Sequence, residues 1–281
     1  MSEIKIPKFI KWVGGKQQLI EQFKPIFPQK IDRYFEPFLG GGAIAFYILK
    51  KYHPKEIILS DLNEELINVY KNIKSNVEPL IEILKDYKEV HDKNVYYKIR
   101  EQDPTKLPSI HRAARFIYLN KTCFNGLYRV NSQGKFNVPM GSYKNPKICP
   151  EEELREIAQL LNNVKLLVMP FEKIFDYAKE GDFIYFDPPY YPLKKGKSFT
   201  TYTKENFLDA EQELLAKIYH QLDQKGCRLM LSNSDTSFIK KLYNKFNINN
   251  VRASRMINSK GDGRGKINEL VITNYPNTIE V

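Results

Sequence analysis

The sequence predicts an α/β fold, an open and mostly parallel sheet interrupted by a mainly helical insertion. Short β-branched and aromatic runs recur at Tyr34–Phe38, Glu56–Asp61, Lys165–Met169, Asp182–Asp187, Arg228–Asn233 and Glu269–Tyr275. Several are apolar almost without a break, as in Phe183-Ile184-Tyr185-Phe186, which is the pattern of a strand buried on both faces. Helical periodicity lies between them, at Leu208–Leu222 and Ser237–Phe246. Strands alternating with helices imply crossover connections and parallel pairing.

The alternation fails between Glu64 and Asn163. Helical stretches follow one another there, at Glu64–Ile73, Val77–Val90 and Ile110–Leu119. A polar, glycine-containing stretch, Asn125–Gly141, comes next, and a last helical pattern at Glu151–Leu161 closes the span. Residues 1–63 and 164–281 are therefore expected to form one sheet domain in two parts, with 64–163 a lobe inserted at a connection. Connections are where recognition elements are added without disturbing a core.

Composition narrows the function classes. The chain of 281 residues carries a net charge of +11, a sign that attracts polyanions, although a basic surface also serves solubility. Its three cysteines, Cys123, Cys149 and Cys227, form no C-x-x-C pair, and the four histidines are scattered, so no disulfide framework or metal site is expected. No apolar run approaches the roughly 20 residues of a membrane span. Met1–Pro7 lacks an apolar signal core, and the expected location is cytoplasmic.

Three motifs carry chemistry. In Tyr34-Phe35-Glu36-Pro37-Phe38-Leu39-Gly40-Gly41-Gly42-Ala43 a strand enters a glycine turn and then a helix, letting backbone approach a ligand closely. Its spacing departs from G-x-G-x-x-G, since position 45 is Ala. Asp61, at the end of the next strand about 20 residues on, has the position of a ribose-binding carboxylate, and equally that of a helix N-cap. Asp187-Pro188-Pro189-Tyr190 leaves the carboxyl end of a buried strand, where α/β sheets bind ligands. Its prolines fix the backbone, so a carboxylate, a carbonyl and a phenol ring are aimed together.

The Asp187–Tyr190 motif together with Phe38-Leu39-Gly40-Gly41-Gly42 resembles the signature pair of amino-methyltransferases that act on nucleic acid. With Lys11-Trp12-Val13-Gly14-Gly15-Lys16 first, the glycine turn second and Asp-Pro-Pro-Tyr last, the order is similar to the α group of DNA adenine methyltransferases, the Dam-like D12 class. The likeness extends to Phe124–Asn131, Gly134–Pro139 and Glu269–Tyr275. It implies a Rossmann-like S-adenosylmethionine-dependent methyltransferase sheet, with 64–163 as a DNA-recognition lobe carrying a hairpin.

By the same resemblance, Asp187 and Pro188 hold the N6 amine of a flipped adenine while Tyr190 stacks on the base. The cofactor S-adenosylmethionine is implied to contact Trp12, Lys16, Phe38, Gly40, Asp61 and Asp187; Trp12 reads otherwise as a core aromatic. Asp187 is expected to be ionised. Implied DNA contacts are Lys11 and Arg129 on guanines, Leu127 and Pro139 on thymines, Phe124 and Asn125 in the gap left by the flipped base, and Asn131 and Asn137 in the same hairpin. Phe124 stands where some members have Tyr. The implied site is GATC, and the implied partners are double-stranded DNA and a cognate restriction endonuclease. RNA or protein-amide methylation is disfavoured because those relatives usually carry Asn at the position of Asp187. Hydride transfer has no use for Asp-Pro-Pro-Tyr. The basic loops Lys194–Lys197 and Asn258–Lys266 are candidates for closing over the base and for ordering on phosphate.

Overall fold

Seven strands form one sheet in the computed structural model, which describes residues 4–193, 207–254 and 266–276. They are β1 (Arg33–Glu36), β2 (Glu56–Asp61), β3 (Val164–Val168), β4 (Phe183–Phe186), β5 (Arg228–Ser234), β6 (Asn247–Ser254) and β7 (Lys266–Thr273), in the order β3-β2-β1-β4-β5-β7-β6. All neighbours pair in parallel except β7, which runs antiparallel between β5 and β6. The helices are α1 (Ile20–Phe23), α2 (Ala43–Tyr52), α3 (Glu64–Ser75), α4 (Val77–Glu89), α5 (Lys93–Glu101), α6 (Ser109–Thr122), α7 (Glu151–Leu160), α8 (Ile174–Tyr177), α9 (Asp209–Gln224) and α10 (Ser237–Leu242).

Alternating side chains of the central strands build two cores, one on each face of the sheet. Tyr34, Ile57, Leu59, Phe183 and Tyr185 join one apolar cluster, while Phe35, Ile58, Ile184 and Phe186 join the other. The uninterrupted apolar run in β4 follows from this burial on both faces. The helices between β2 and β3 share the first cluster, through Leu66, Ile67 and Tyr70 of α3 and Ala113 and Ile117 of α6. Helix α9 covers the second with Leu215, Tyr219 and Leu222.

Strand order reverses between β1 and β4. The chain runs outward from β1 through β2 to β3, then returns to the other side of β1 at β4. Such a switch point opens a crevice beyond the carboxyl ends of the two strands. The glycine turn and Asp187 both lie at that rim.

The single-turn helices α1 and α8 escape the sequence reading, as do two longer elements. Strand β6 carries Asn247, Asn249, Asn250 and Arg252 at the sheet edge, so it shows no apolar run. Helix α5 buries only Tyr96 and Ile99, and its start is fixed by the Asp92 side chain accepting from the Val95 N–H at 2.7 Å. The expected hairpin is an irregular loop with little ladder. Its turns are tied by isolated bridges between Cys123 and Met140 and between Val130 and Phe136. Among the described residues no helix is long and apolar enough to cross a membrane.

Candidate active site and DNA-facing loop

The glycine turn after β1 is pinned to the neighbouring strand. Leu39 N–H donates to the Ser60 carbonyl at 3.0 Å, and Gly40 N–H donates to Asp61 Oδ2 at 3.0 Å. Gly40 and Gly42 have φ of +49° and +71°, a region that penalises any side chain. Space forbids one as well. A Cβ on Gly40 would lie 2.7 Å from the indole nitrogen of Trp12, and one on Gly42 would lie 2.8 Å from the Tyr70 hydroxyl. That hydroxyl donates to the Gly40 carbonyl at 2.9 Å. Trp12 therefore covers the glycine turn, and it also stacks near Phe116 and Tyr128, with ring centroids 6.4 and 6.2 Å away.

Asp61 is held at the crevice rather than at a helix end. Its Oδ1 accepts from Asn63 N–H at 2.9 Å, and Asn63 itself caps α3 by accepting from Leu66 N–H at 3.1 Å. Burial raises the Asp61 pKa, opposed by the N–H groups of Asn63 and Gly40. Phe38 lines the same rim, stacked on Phe171 at 5.4 Å and edge-on to Phe207 at 5.7 Å.

Across the crevice, Asp187 leaves β4 and pairs with Lys16, Oδ1 to Nζ, at 2.8 Å. Lys16 also donates to the Gly14 carbonyl at 2.8 Å, and its ammonium stands 4.6 Å from the centre of the Tyr190 ring. Burial pushes the Asp187 pKa up to about 6, against the pull of Lys16 and with a further push from Glu269. Lys16 thus offsets part of the cost that burial places on the ionised form. Pro188 is buried. The rest of the turn is held by a buried amide pair, with Gln212 Nε2 donating to the Pro189 carbonyl at 3.0 Å. Asn233 Nδ2 donates to Gln212 Oε1 at 2.9 Å, and Asn233 Oδ1 accepts from Tyr191 N–H at 3.1 Å.

The loop after α6 presents the residues expected to face DNA. Phe124 is half exposed, at 50%. Asn125 is exposed with φ of +55°. Arg129 is exposed, its Nε donating to Asn137 Oδ1 at 2.7 Å. Leu127 is half-buried and Pro139 exposed, the Pro139 carbonyl accepting from Phe124 N–H at 2.8 Å. Asn131 has a local task, because its Oδ1 accepts the N–H groups of Gln133 and Lys135, both at 3.0 Å, and closes the loop tip. Buried Asn120 brings Lys11 to this loop. It accepts from Lys11 N–H at 2.7 Å and donates to the carbonyls of Lys11 at 2.8 Å and Gly126 at 3.0 Å. The Lys11 ammonium sits 3.7 Å over the Tyr143 ring. Loop Lys194–Lys197 lies outside the described residues, as does Asn258–Lys266 except for Lys266 at the start of β7.

Comparison with known proteins accords with this geometry. The family model for D12 class N6 adenine-specific DNA methyltransferase matches residues 12–257. The chain belongs to that family. It is 48% identical to the type II methyltransferase M.MjaIII of Methanocaldococcus jannaschii, over 97% of this chain and 100% of the relative. It is 43% identical to the type II methyltransferase M1.LlaDCHI of Lactococcus lactis subsp. cremoris, over 98% of each chain. With the DNA adenine methylase of Escherichia coli it shares 32% over 96% of each.

As an adenine-specific DNA methyltransferase, the chain brings Asp187, Pro188, Tyr190 and Lys16 together at one rim, with Asp61, Phe38, Gly40 and Trp12 facing them across the switch point. Lys11 and Phe124–Pro139 adjoin that rim through the stack of Trp12 on Tyr128. Sequence reasoning missed Glu269, Gln212, Asn233 and Asn120. Glu269 opens the apolar run Glu269–Tyr275, but nothing local marks it as a partner of Tyr190.

Proposed function

We propose that this methyltransferase transfers a methyl group from S-adenosylmethionine to N6 of an adenine flipped out of duplex DNA, within GATC. The observation that carries the reading is the Asp187–Lys16 pair at the switch point, beside Tyr190 and facing the glycine turn. Flipping is required because the amine is inaccessible inside a stacked duplex, and it costs a few kcal/mol. The ring of Tyr190 recovers part of that by stacking on the base.

The donor set fits the cofactor. Asp61 is fixed beside the glycine turn by the Gly40 N–H, and Asp187 is paired with Lys16 across from it, a mixed charge set that suits a ligand bearing a sulfonium, an ammonium and a carboxylate. Trp12, Lys16, Phe38, Gly40, Asp61, Asp187 and Pro188 would hold it, with Asp61 accepting from ribose hydroxyls. When bound, it supplies an electrophilic methyl group.

The chain's own residues prepare the amine. Adenine N6 is a weak nucleophile because its lone pair is delocalised into the ring. Asp187 accepts one N6–H and the Pro188 carbonyl the other, which tilts nitrogen toward tetrahedral geometry and frees the lone pair. Lys16 keeps Asp187 charged, as an acceptor must be. Orientation then supplies much of the acceleration, with no covalent enzyme intermediate, and the proton that N6 must lose on gaining the methyl group passes along its hydrogen bond to Asp187 and on to solvent.

Residues 64–163 act as the target-recognition lobe. Lys11 and Arg129 are assigned to guanines, Leu127 and Pro139 to thymine methyls, Asn137 to holding Arg129, and Phe124 with Asn125 to the vacated gap. Two relatives named as type II methyltransferases support a restriction–modification role in the cytoplasm, alongside an endonuclease of the same specificity. The test is labelled methyl transfer to duplexes with and without GATC. Wild type should label only the former, and Asp187→Ala should bind DNA but label neither. Equal labelling of both duplexes would refute the site; an active Asp187→Ala would refute the mechanism.

A further inference from the structure

We propose that Glu269 is a positioning residue for methyl transfer, fixing the Tyr190 ring that stacks on the target base. The inference rests on the stacking role given to Tyr190 above. Tyr190 donates its hydroxyl to Glu269 Oε2 at 2.8 Å, across 79 positions of sequence.

Sheet topology explains how so distant a residue reaches the site. Strand β7 is antiparallel to β5, so early residues of β7 lie at the rim formed by the carboxyl ends of β4 and β5. Register places Glu269 opposite Ser234, the last residue of β5. On its other side Glu269 pairs with Val251 of β6, so its backbone is held from both flanks. A carboxylate mounted on a paired strand is a rigid anchor, and it holds the hydroxyl end of the ring, which the bonds fixing the Pro189 carbonyl and the Tyr191 N–H do not reach.

A phenol hydroxyl lies on the axis of ring rotation. Bonding it leaves the ring free to flip but fixes where its far end stands. The Lys16 ammonium, 4.6 Å from the ring centre and bound to Asp187, restrains the ring from a second direction. Asp187, Lys16, Tyr190 and Glu269 thus form one chain of contacts, in which the stacking surface is tied to the carboxylate that holds the amine. Without Glu269 the ring loses its outer anchor, and the flipped base is placed less often in line for transfer. That is a loss in kcat rather than in DNA affinity.

The test compares Glu269→Ala, Glu269→Gln, Tyr190→Phe and the Glu269→Ala/Tyr190→Phe double variant, with Tyr190→Ala as reference. Loss of a hydrogen bond to a charged group should lower kcat about tenfold in Glu269→Ala and in Tyr190→Phe, with KM for DNA little changed. Glu269→Gln keeps an acceptor and should stay within about threefold of wild type. The double variant should be no slower than either single one, since both remove the same bond. Additive losses, a wild-type kcat in Glu269→Ala, or a fall in Tm with kcat per folded molecule intact would overturn the assignment. Tyr190→Ala separates the two ideas. If it retains wild-type kcat, the stacking role itself fails; if it is slow while Glu269→Ala is not, only the role of Glu269 fails.

Discussion

The ammonium of Lys16 lies 2.8 Å from Oδ1 of Asp187, and the two side chains are only 5% and 19% exposed. An acid so shielded would ordinarily hold its proton near neutrality, because burial disfavours the charged form. Lys16 opposes that cost and so favours the ionised form that the proposed acceptor role requires. The N-terminal segment thereby reaches the carboxyl end of β4.

Activity should accordingly fall on the acid side with the titration of Asp187. Burial raises its pKa and Lys16 lowers it, leaving about 6. The profile of kcat/KM, which reports the free enzyme, should lose half its value near that pH and about tenfold per unit below it. Lys16→Met removes the lowering influence, so its acid limb should move to higher pH, with activity lost even at neutrality. An acid limb near the ordinary aspartate range, or one indifferent to Lys16→Met, would show that Asp187 does not govern the rate.

What the sequence displays is what local pattern can encode. Strand β4 reads plainly because Phe183-Ile184-Tyr185-Phe186 is buried on both faces, and Asp187-Pro188-Pro189-Tyr190 reads plainly because its chemistry lies in adjacent residues. Strand β6 hides because its asparagines and Arg252 sit at an edge, where pairing with β7 rather than apolar burial makes the strand. Glu269, Gln212 and Asn233 hide for another reason. Their roles exist only once the sheet order sets β5 and β7 beside β4 and α9 packs behind them. Asn131 reads as one more amide in a hairpin facing DNA, yet its side-chain oxygen is engaged by two backbone N–H groups of its own loop.

Gly40 is expected to be intolerant because of Trp12. In Gly40→Ala the new methyl carbon would meet the indole at 2.7 Å, with φ at +49° adding strain. Backbone strain alone costs on the order of 1–2 kcal/mol, and displacing Trp12 should weaken S-adenosylmethionine binding as well. Calorimetric affinity and Tm measure both. Adding Trp12→Ala removes the clash, so Tm should partly recover in the double variant; if Trp12→Ala merely adds its own loss, the indole is not what excludes a side chain at Gly40.

Arg129 and Asn137 should act as a unit. Asn137 holds the guanidinium Nε, which leaves the two terminal nitrogens to fork onto a guanine. Arg129→Ala should cost about 1–3 kcal/mol and relax discrimination at one base pair. Asn137→Ala should relax the same base pair more mildly. Methylation rates on duplexes substituted singly at each position of the site are the measurement. A loss spread evenly over every duplex would instead make Arg129 a phosphate contact.

Phe124 separates catalysis from folding. Its ring is half exposed and its neighbour Asn125 already takes a left-handed backbone, so the loop is built to hold a ring outward rather than to bury it. Phe124→Ala removes little from the core and should change stability by no more than about 0.5 kcal/mol, as for an ordinary surface substitution. On the proposed role the ring fills the gap beside a flipped base, where stacking is worth about 1–3 kcal/mol per base. Methylation of intact duplex should therefore slow by roughly tenfold or more. A duplex with an abasic site opposite the target has no intrahelical partner to lose, which lowers the cost of extrusion, so the same variant should recover much of its rate there. Equal slowing on both duplexes would mean that Phe124 does not act at the extrusion step.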